Sequence, residues 1–261
     1  DHFLDLAPSP GALVTTEGPV QPSDDDFTAF VFKVQANMNP RHRDRTAFVR
    51  VASGVFHRGV HAVHGRTGRE VKLARAHTMF ADERATVDEA FPGDILGLLN
   101  PGTFRIGDVI SSRGAVHLPS FPRFAPERFV IVRPKQTDRH KAFRKGLEQL
   151  TEEGVVQLFY PAQGARDPIL GAVGQLQFEV FEHRMKEEYG VELYQDQQPY
   201  RVIRWLDQTP AKPVRFGMLV HDQDDQAVAL FRFEGEIKYF EDEHPEVKLY
   251  DSPGAVEVVR L

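Results

Sequence analysis

The apolar residues of this chain change their spacing at a proline-rich stretch, SFPRFAPERF over residues 120–129, and that change limits the fold to two unlike units. Before it, from Phe27 onward, apolar residues recur at every second position in short runs: FTAFVFKVQ, TAFVRVASG, HRGVHAVHG and REVKLAR. Alternation sends successive side chains to opposite faces of a strand, and short runs broken by glycine predict an all-β barrel or sandwich. In the first run it sets Phe30, Phe32 and Val34 on one face and Val31, Lys33 and Gln35 on the other. FPGDILGLL and TFRIGDVISS add two more strands, each with a Gly-Asp pair that marks a tight turn. The β barrel is placed at residues 26–118.

With Pro119, Pro122 and Pro126, the join suits neither a central strand nor a helix, and the period beyond it is mixed. RFVIVRPK reads as a strand. DRHKAFRKGLEQLTEEG carries Phe143, Leu147 and Leu150 at i, i+4 and i+7, one stripe of a helix that Gly154 ends. VVQLFYP and PILGAV are strands, QLQFEVFEHRMKEEY is a helix with Phe178, Phe181 and Met185 on one face, and VELY and YRVIRWL are strands again. This β-α-β-β-α-β order predicts a split βαβ, ferredoxin-like α+β domain over residues 119–261, with two helices covering one face of an antiparallel sheet. A C-terminal extension from Val214 adds a strand and the helix FEGEIKYFEDEH. At the other end, residues 7–26 hold four prolines and an acidic triplet without hydrophobic periodicity. No core is expected there, and residues 1–25 read as a linker from an upstream domain of a longer protein.

Cysteine is absent, which excludes disulfides, thiolate metal sites and thiol nucleophiles and suits a reducing cytoplasm. No run nears the roughly 20 apolar residues of a membrane helix, and the N-terminus lacks a signal-peptide pattern. A cytoplasmic monomer with no membrane partner is expected. The net charge of −6 conceals a segregation. Arg41 to Lys72 holds eight Lys/Arg against two acids, Glu127 to Lys145 holds seven against two, and Asp222 to Glu246 holds nine acids against two bases. Basic stretches in an acidic chain point to a polyanion met on one side.

The candidates for chemistry thin out on inspection. GAVGQLQ, with Gly171 and Gly174 before a helix, has the outline of a phosphate loop, but no lysine follows until Lys186. It reads as a structural turn. Asp94-Ile-Leu-Gly97 spells D-x-x-G without a Walker A or guanine-reading motif, so this chain is expected neither to bind nor to hydrolyse GTP. His57, His61 and His64 could suggest zinc, yet on a strand His61 and His64 point to opposite faces, and they read as surface histidines. No catalytic, nucleotide-binding or metal residues are assigned. What remains is the loop NMNPRHRDR, with Arg41, His42, Arg43 and Arg45, whose guanidinium forks suit the phosphate oxygens of RNA.

FVFKVQANMNPRHRDRTAFVRVASG and HTMFADERATVDEAFPGDILGLLNPGTFRIGDVI resemble the second domain of the bacterial peptide chain release factor 3 family, class II release factors that are translational GTPases. KGLEQLTEEGVVQLFYP and ILGAVGQLQFEVFEHRMKEEYGVE resemble the third domain. The resemblance implies a barrel of the translation-factor domain II type and a role in termination, in which the GTP-bound factor promotes departure of class I release factors from the ribosome. It implies the ribosome, its small-subunit RNA and proteins, and the factor's own GTPase domain as partners. GTP and magnesium belong to that upstream domain, whose residues have no counterparts here. By loop position Arg41, His42, Arg43 and Arg45 take RNA-facing roles, joined by Arg139, Lys141, Arg144 and Lys145 on the basic helix. The alternatives are another translational GTPase such as elongation factor G, a free-standing RNA-binding module, and a hydrolase with a site assembled from scattered residues.

Overall fold

Two units divide the chain, Asp1–Phe121 and Pro122–Leu261, and each builds its own sheet. The computed structural model describes residues 6–35, 45–74, 76–80, 83–100, 102–119, 124–164 and 167–253.

In the first unit the short alternating runs become β1 (Thr28–Gln35), β2 (Arg45–Ser53), β3 (Phe56–His57), β4 (Val60–His64), β5 (Arg69–Leu73), β6 (Ala76–Phe80), β7 (Glu83–Thr86), β8 (Glu89–Ala90), β9 (Ile95–Asn100) and β10 (Val109–Ser111). Eight of them form an antiparallel barrel sheet in the order β5-β4-β10-β1-β2-β9-β6-β7, and β3 pairs with β8. Ala29, Val31 and Val34 meet Ala47, Val49, Val51, Leu96, Leu98, Phe56 and Ile110 in its core.

That core corrects the strict alternation expected for β1. A register shift between Val31 and Lys33 marks a bulge, so two residues on β1 oppose Phe48 on β2. Before the bulge Ala29 and Val31 face inward, after it Val34 does, and Phe30 and Phe32 lie half-buried on the outer face. The Gly-Asp pairs are tight turns as expected. Gly93 (φ +100°) and Gly107 (φ +93°) supply the positive φ of the third turn residue. Asp94 and Asp108 each accept a hydrogen bond from the backbone N–H three residues earlier, Phe91 and Arg105, at 2.8 Å. The expectation that no core residue lies in the proline-rich N-terminal segment fails at Val20, which is fully buried. Leu13 and Val20 bridge through two backbone hydrogen bonds, and the Thr16 N–H reaches the His117 carbonyl at 2.9 Å.

In the second unit β11 (Arg128–Pro134), α1 (His140–Glu152), β12 (Gln157–Pro161), β13 (Ile169–Ala172), α2 (Gln175–Tyr189) and β14 (Leu193–Gln198) give the β-α-β-β-α-β order. The strands lie antiparallel as β14-β11-β13-β12. Phe143, Leu147 and Leu150 of α1 pack with Phe178, Phe181 and Met185 of α2 over Val130, Val132, Leu158 and Leu170. The helices approach closely at Gly146, where a Cβ would stand 2.5 Å from the Met185 sulfur. Gly154 (φ +76°) ends α1 as expected, and Gly190 (φ +65°) ends α2.

The extension is larger than the single strand and helix expected. β15 (Val202–Leu206) is the expected YRVIRWL strand, and beyond Val214 β16 (Met218–His221), β17 (Ala227–Phe231), helix α3 (Gly235–Glu243) and β18 (Leu249–Tyr250) follow, the strands continuing the sheet as β12-β16-β17-β15-β18. Every residue of β17 is buried: Val228 and Leu230 share a core with Phe129, Phe159, Ile169 and Trp205, while Ala229 and Phe231 pack with Phe240 and Val247. A strand covered on both faces needs the unbroken apolar run AVALF rather than alternation.

Candidate functional site

Of the cationic loop, Arg41, His42 and Arg43 lie outside the described residues. Arg45 opens β2 opposite Asn100 of β9 and is half-buried. A Cβ on Gly102 would lie 3.3 Å from its Nη1, so the guanidinium runs along the turn after β9. Buried Asn100 holds that turn. Its amide Nδ2 donates to the Phe104 carbonyl (2.8 Å), and its Oδ1 accepts from the Gly102 (2.9 Å) and Phe104 (3.0 Å) N–H groups.

The second cluster forms on one element. Lys141, Arg144 and Lys145 are exposed on α1, away from the buried stripe of Phe143, Leu147 and Leu150. Arg139 precedes them as the N-cap residue, with its Nε 3.9 Å from exposed Asp138. No side chain caps this helix start, and its first turn contains no acid. A helix N-terminus carries partial positive charge, so cations gathered there lower the helix's stability and favour an anion. Arg144 also lies near half-exposed Tyr160. Burial raises that phenol above its ordinary value, and the positive charge acts in the opposite sense. The loop and the helix belong to different units. Two further exposed cations, Lys33 on β1 and Arg50 on β2, escape sequence reasoning because a single charge on a strand reads as solvation.

The phosphate-loop and D-x-x-G outlines are occupied by structure. At Gly171–Gly174 the Gln177 Oε1 accepts from the Val173 (3.0 Å) and Gly174 (3.2 Å) N–H groups, and its Nε2 donates to the Val155 carbonyl at 3.0 Å. Two of the backbone donors at this turn are thus satisfied by the chain's own side chain. Gly171 is needed for close packing, since a Cβ there would sit 2.8 Å from the Phe159 ring. The Asp94 carboxylate closes the turn at Phe91, and Gly97 of the same D-x-x-G packs against His77.

The histidines separate as the strand predicts, but one correction is needed. His57 and His61 are exposed beside Glu89 and Glu70, whereas His64 is fully buried rather than a surface residue. Its Nε2 hydrogen-bonds Asp108 Oδ2 at 2.7 Å, and Thr67 Oγ1 meets its Nδ1 at 2.9 Å. Arg66 donates to both Asp108 oxygens from Nε (2.8 Å) and Nη2 (3.0 Å). Burial opposes the charge on Asp108, but hydrogen bonds from His64, Arg66 and the Arg105 N–H outweigh it and hold the carboxyl down at about 2. Among the described residues no group of three or more His, Asp or Glu is placed to hold a metal ion.

Comparison with known proteins agrees with this architecture. The family model described as "Class II release factor RF3, C-terminal domain" matches residues 118–241, and "Elongation factor G domain 2" matches residues 26–113. A crystal structure from Thermus thermophilus shares the fold, with a TM-score of 0.57 at 21% identity over 79% of this chain and 32% of that one. Peptide chain release factor 3 of Symbiobacterium thermophilum is 48% identical over 94% of this chain and 47% of that protein. Those of Trichodesmium erythraeum and Listeria monocytogenes are 45% and 43% identical, over 98% and 95% of this chain and 48% of each relative. The chain thus spans about half the length of the curated relatives it matches. With matches of this strength along nearly all of its residues, the chain belongs to the peptide chain release factor 3 family.

Proposed function

We propose that this chain is the ribosome-docking region of a GTP-dependent translation termination factor that promotes release of class I release factors from the ribosome. The observation that carries the reading is the start of α1, where Arg139 and Lys141 stand at a helix end that disfavours cations and exposed Arg144 and Lys145 follow one turn on. Family membership supplies the context, and the loop of Arg41, His42, Arg43 and Arg45 supplies a second phosphate-seeking surface on the barrel. In this reading residues 1–25 connect to an upstream GTPase domain, residues 26–118 form the barrel module, and residues 119–261 form the second module. The partners are small-subunit ribosomal RNA and proteins, the setting is the cytoplasm, and the protein acts as a monomer.

GTP and magnesium do not fit the residues described here. Asp94 is committed to its turn, the Gly171–Gly174 donors are capped by Gln177, and no Walker A sequence occurs. The nucleotide chemistry is assigned to the upstream domain.

Ribosome binding measured against salt tests the reading. Polyphosphate contacts make log K fall linearly with log salt, by about 0.9 per contact on a duplex. Changing Arg41, Arg43 and Arg45 to Ala, or Arg139, Lys141, Arg144 and Lys145 to Ala, is expected to weaken binding and flatten the salt dependence. Unchanged affinity in both variants at low salt would refute it.

A further inference from the structure

The bulge in β1 has a chemical outcome on the outer face of the barrel. Phe32 and Lys33 share the space opposite Phe48, so a ring and a cation both lie against one aromatic side chain. The Phe32 and Phe48 rings are 6.5 Å apart at 49°, and the Lys33 ammonium stands 5.6 Å from the Phe48 centroid. A lysine stem is flexible, and a ring beneath its ammonium reduces the number of positions it samples. Arg50 is the next residue on the same face of β2, about 7 Å along the strand from Phe48. Its cross-strand neighbours are Phe30 and Ile95, both apolar. Neither Lys33 nor Arg50 pairs with a carboxylate among the described residues. Asp94, the acid next to Ile95, has its carboxylate engaged by the Phe91 N–H.

We infer that Lys33 and Arg50 form a second phosphate-binding strip on the outer face of the β1–β2 hairpin, with RNA backbone as its occupant and Phe48 as the positioning residue for Lys33. This rests on the ribosome-docking reading and extends it from the loop onto the sheet. The choice of RNA follows from charge and continuity. Two cations at strand spacing, without a carboxylate partner among the described residues, complement a polyphosphate, and β1 and β2 are the strands that carry the loop of Arg41, Arg43 and Arg45. The Phe48 face is covered by the Lys33 ammonium, while Ile95 beside Arg50 lies exposed, so the comparison of ribosomes with purified RNA is what separates RNA from a protein partner.

The test compares the full 261-residue chain with four variants, Lys33→Met with Arg50→Met, Phe48→Leu, Phe48→Tyr and the loop variant Arg41→Ala/Arg43→Ala/Arg45→Ala, on ribosomes and on purified small-subunit ribosomal RNA. The double variant keeps the aliphatic stems and removes the charges. Its binding is expected to weaken roughly tenfold or more at low salt, with the log–log salt slope shallower by about 1.8 on both targets. Phe48→Leu is expected to weaken binding a few-fold without changing the slope, and Phe48→Tyr, which keeps a ring under Lys33, to restore it. If Arg41→Ala/Arg43→Ala/Arg45→Ala weakens binding while Lys33→Met/Arg50→Met leaves affinity and slope unchanged, the strip is wrong and the docking reading stands. If neither set changes anything, the strip falls, and the docking reading falls with it only when Arg139→Ala/Lys141→Ala/Arg144→Ala/Lys145→Ala is equally without effect. Weaker binding on ribosomes but not on RNA would assign the face to a protein partner and overturn the strip.

Discussion

At the scale of single residues, Asp108 shows how a turn residue becomes a structural anchor. Its position after Gly107 is legible in the sequence as a turn signal. Its partners are not, because His64 and Arg66 lie 44 and 42 residues away and only the β4–β10 pairing brings them together. For the same reason His64 reads as a surface residue. The Asp108 carboxyl drops from an ordinary 3.8 to about 2 on folding, which corresponds to about 2 kcal/mol of stability. Because the folded value is the lower one, that stability is fully present above about pH 5 and is lost as pH falls through 3.8 and then about 2. Asp108→Asn is therefore expected to destabilise the first unit by about 2 kcal/mol at pH 7 and by much less near pH 2, read from urea unfolding at the two pH values. A penalty independent of pH would mean that the ionic partners contribute nothing. Gln177→Ala carries a different signature. It removes the partner of the Val173 and Gly174 N–H groups and the Val155 carbonyl, which are only partly buried, and is expected to cost about 0.5–1.5 kcal/mol at any neutral pH, with ribosome binding unaltered. An intact melting temperature in that variant would show that water serves these groups equally well.

At the scale of elements, legibility follows the period of the apolar pattern and fails where a neighbouring strand sets the geometry. Helices α1 and α2 are readable because Phe143, Leu147 and Leu150, and Phe178, Phe181 and Met185, recur at helical spacing. The bulge at Phe32 and Lys33 is not, since it exists only relative to Phe48 on β2. Strand β17 escapes sequence reasoning because alternation vanishes when both faces are covered. On the proposed docking reading, the start of α1 is the element where stability and function pull apart. Replacing a cation by an acid at the start of a helix turns an unfavourable interaction with the helix dipole into a favourable one, worth about 0.3–1 kcal/mol per charge. Arg139→Asp combined with Lys141→Glu is thus expected to raise the melting temperature of the second unit by several degrees and to weaken ribosome binding at low salt. Higher stability with undiminished binding would mean that these cations merely solvate an exposed face.

At the scale of the molecule, the two-unit division is legible because the proline-rich stretch separates two periods. The continuation of the sheet from β12 into β16 is not, as only Tyr160 and Pro161 pair across that seam with His221 and Val220, and nothing local in either segment announces it. The charge segregation is equally legible, but a sequence cannot say whether two basic stretches act together. Neutralisation can. The loop offers three arginines and α1 offers four cations, and every phosphate-binding cation removed flattens the log–log salt slope by about 0.9 on a duplex. If both units hold RNA in one complex, the slope changes of the loop variant and the helix variant sum in the combined variant, because sites far apart with no shared partner contribute independently. If the units take turns, the parent binds through one surface at a time, and removing either alone leaves the slope set by the other. The combined variant then weakens far more than the sum of the two single effects. Additive slopes are the expected result, since each unit carries its own cationic surface and each phosphate contact contributes to the slope independently. A combined variant that departs strongly from additivity would assign ribosome contact to one unit at a time.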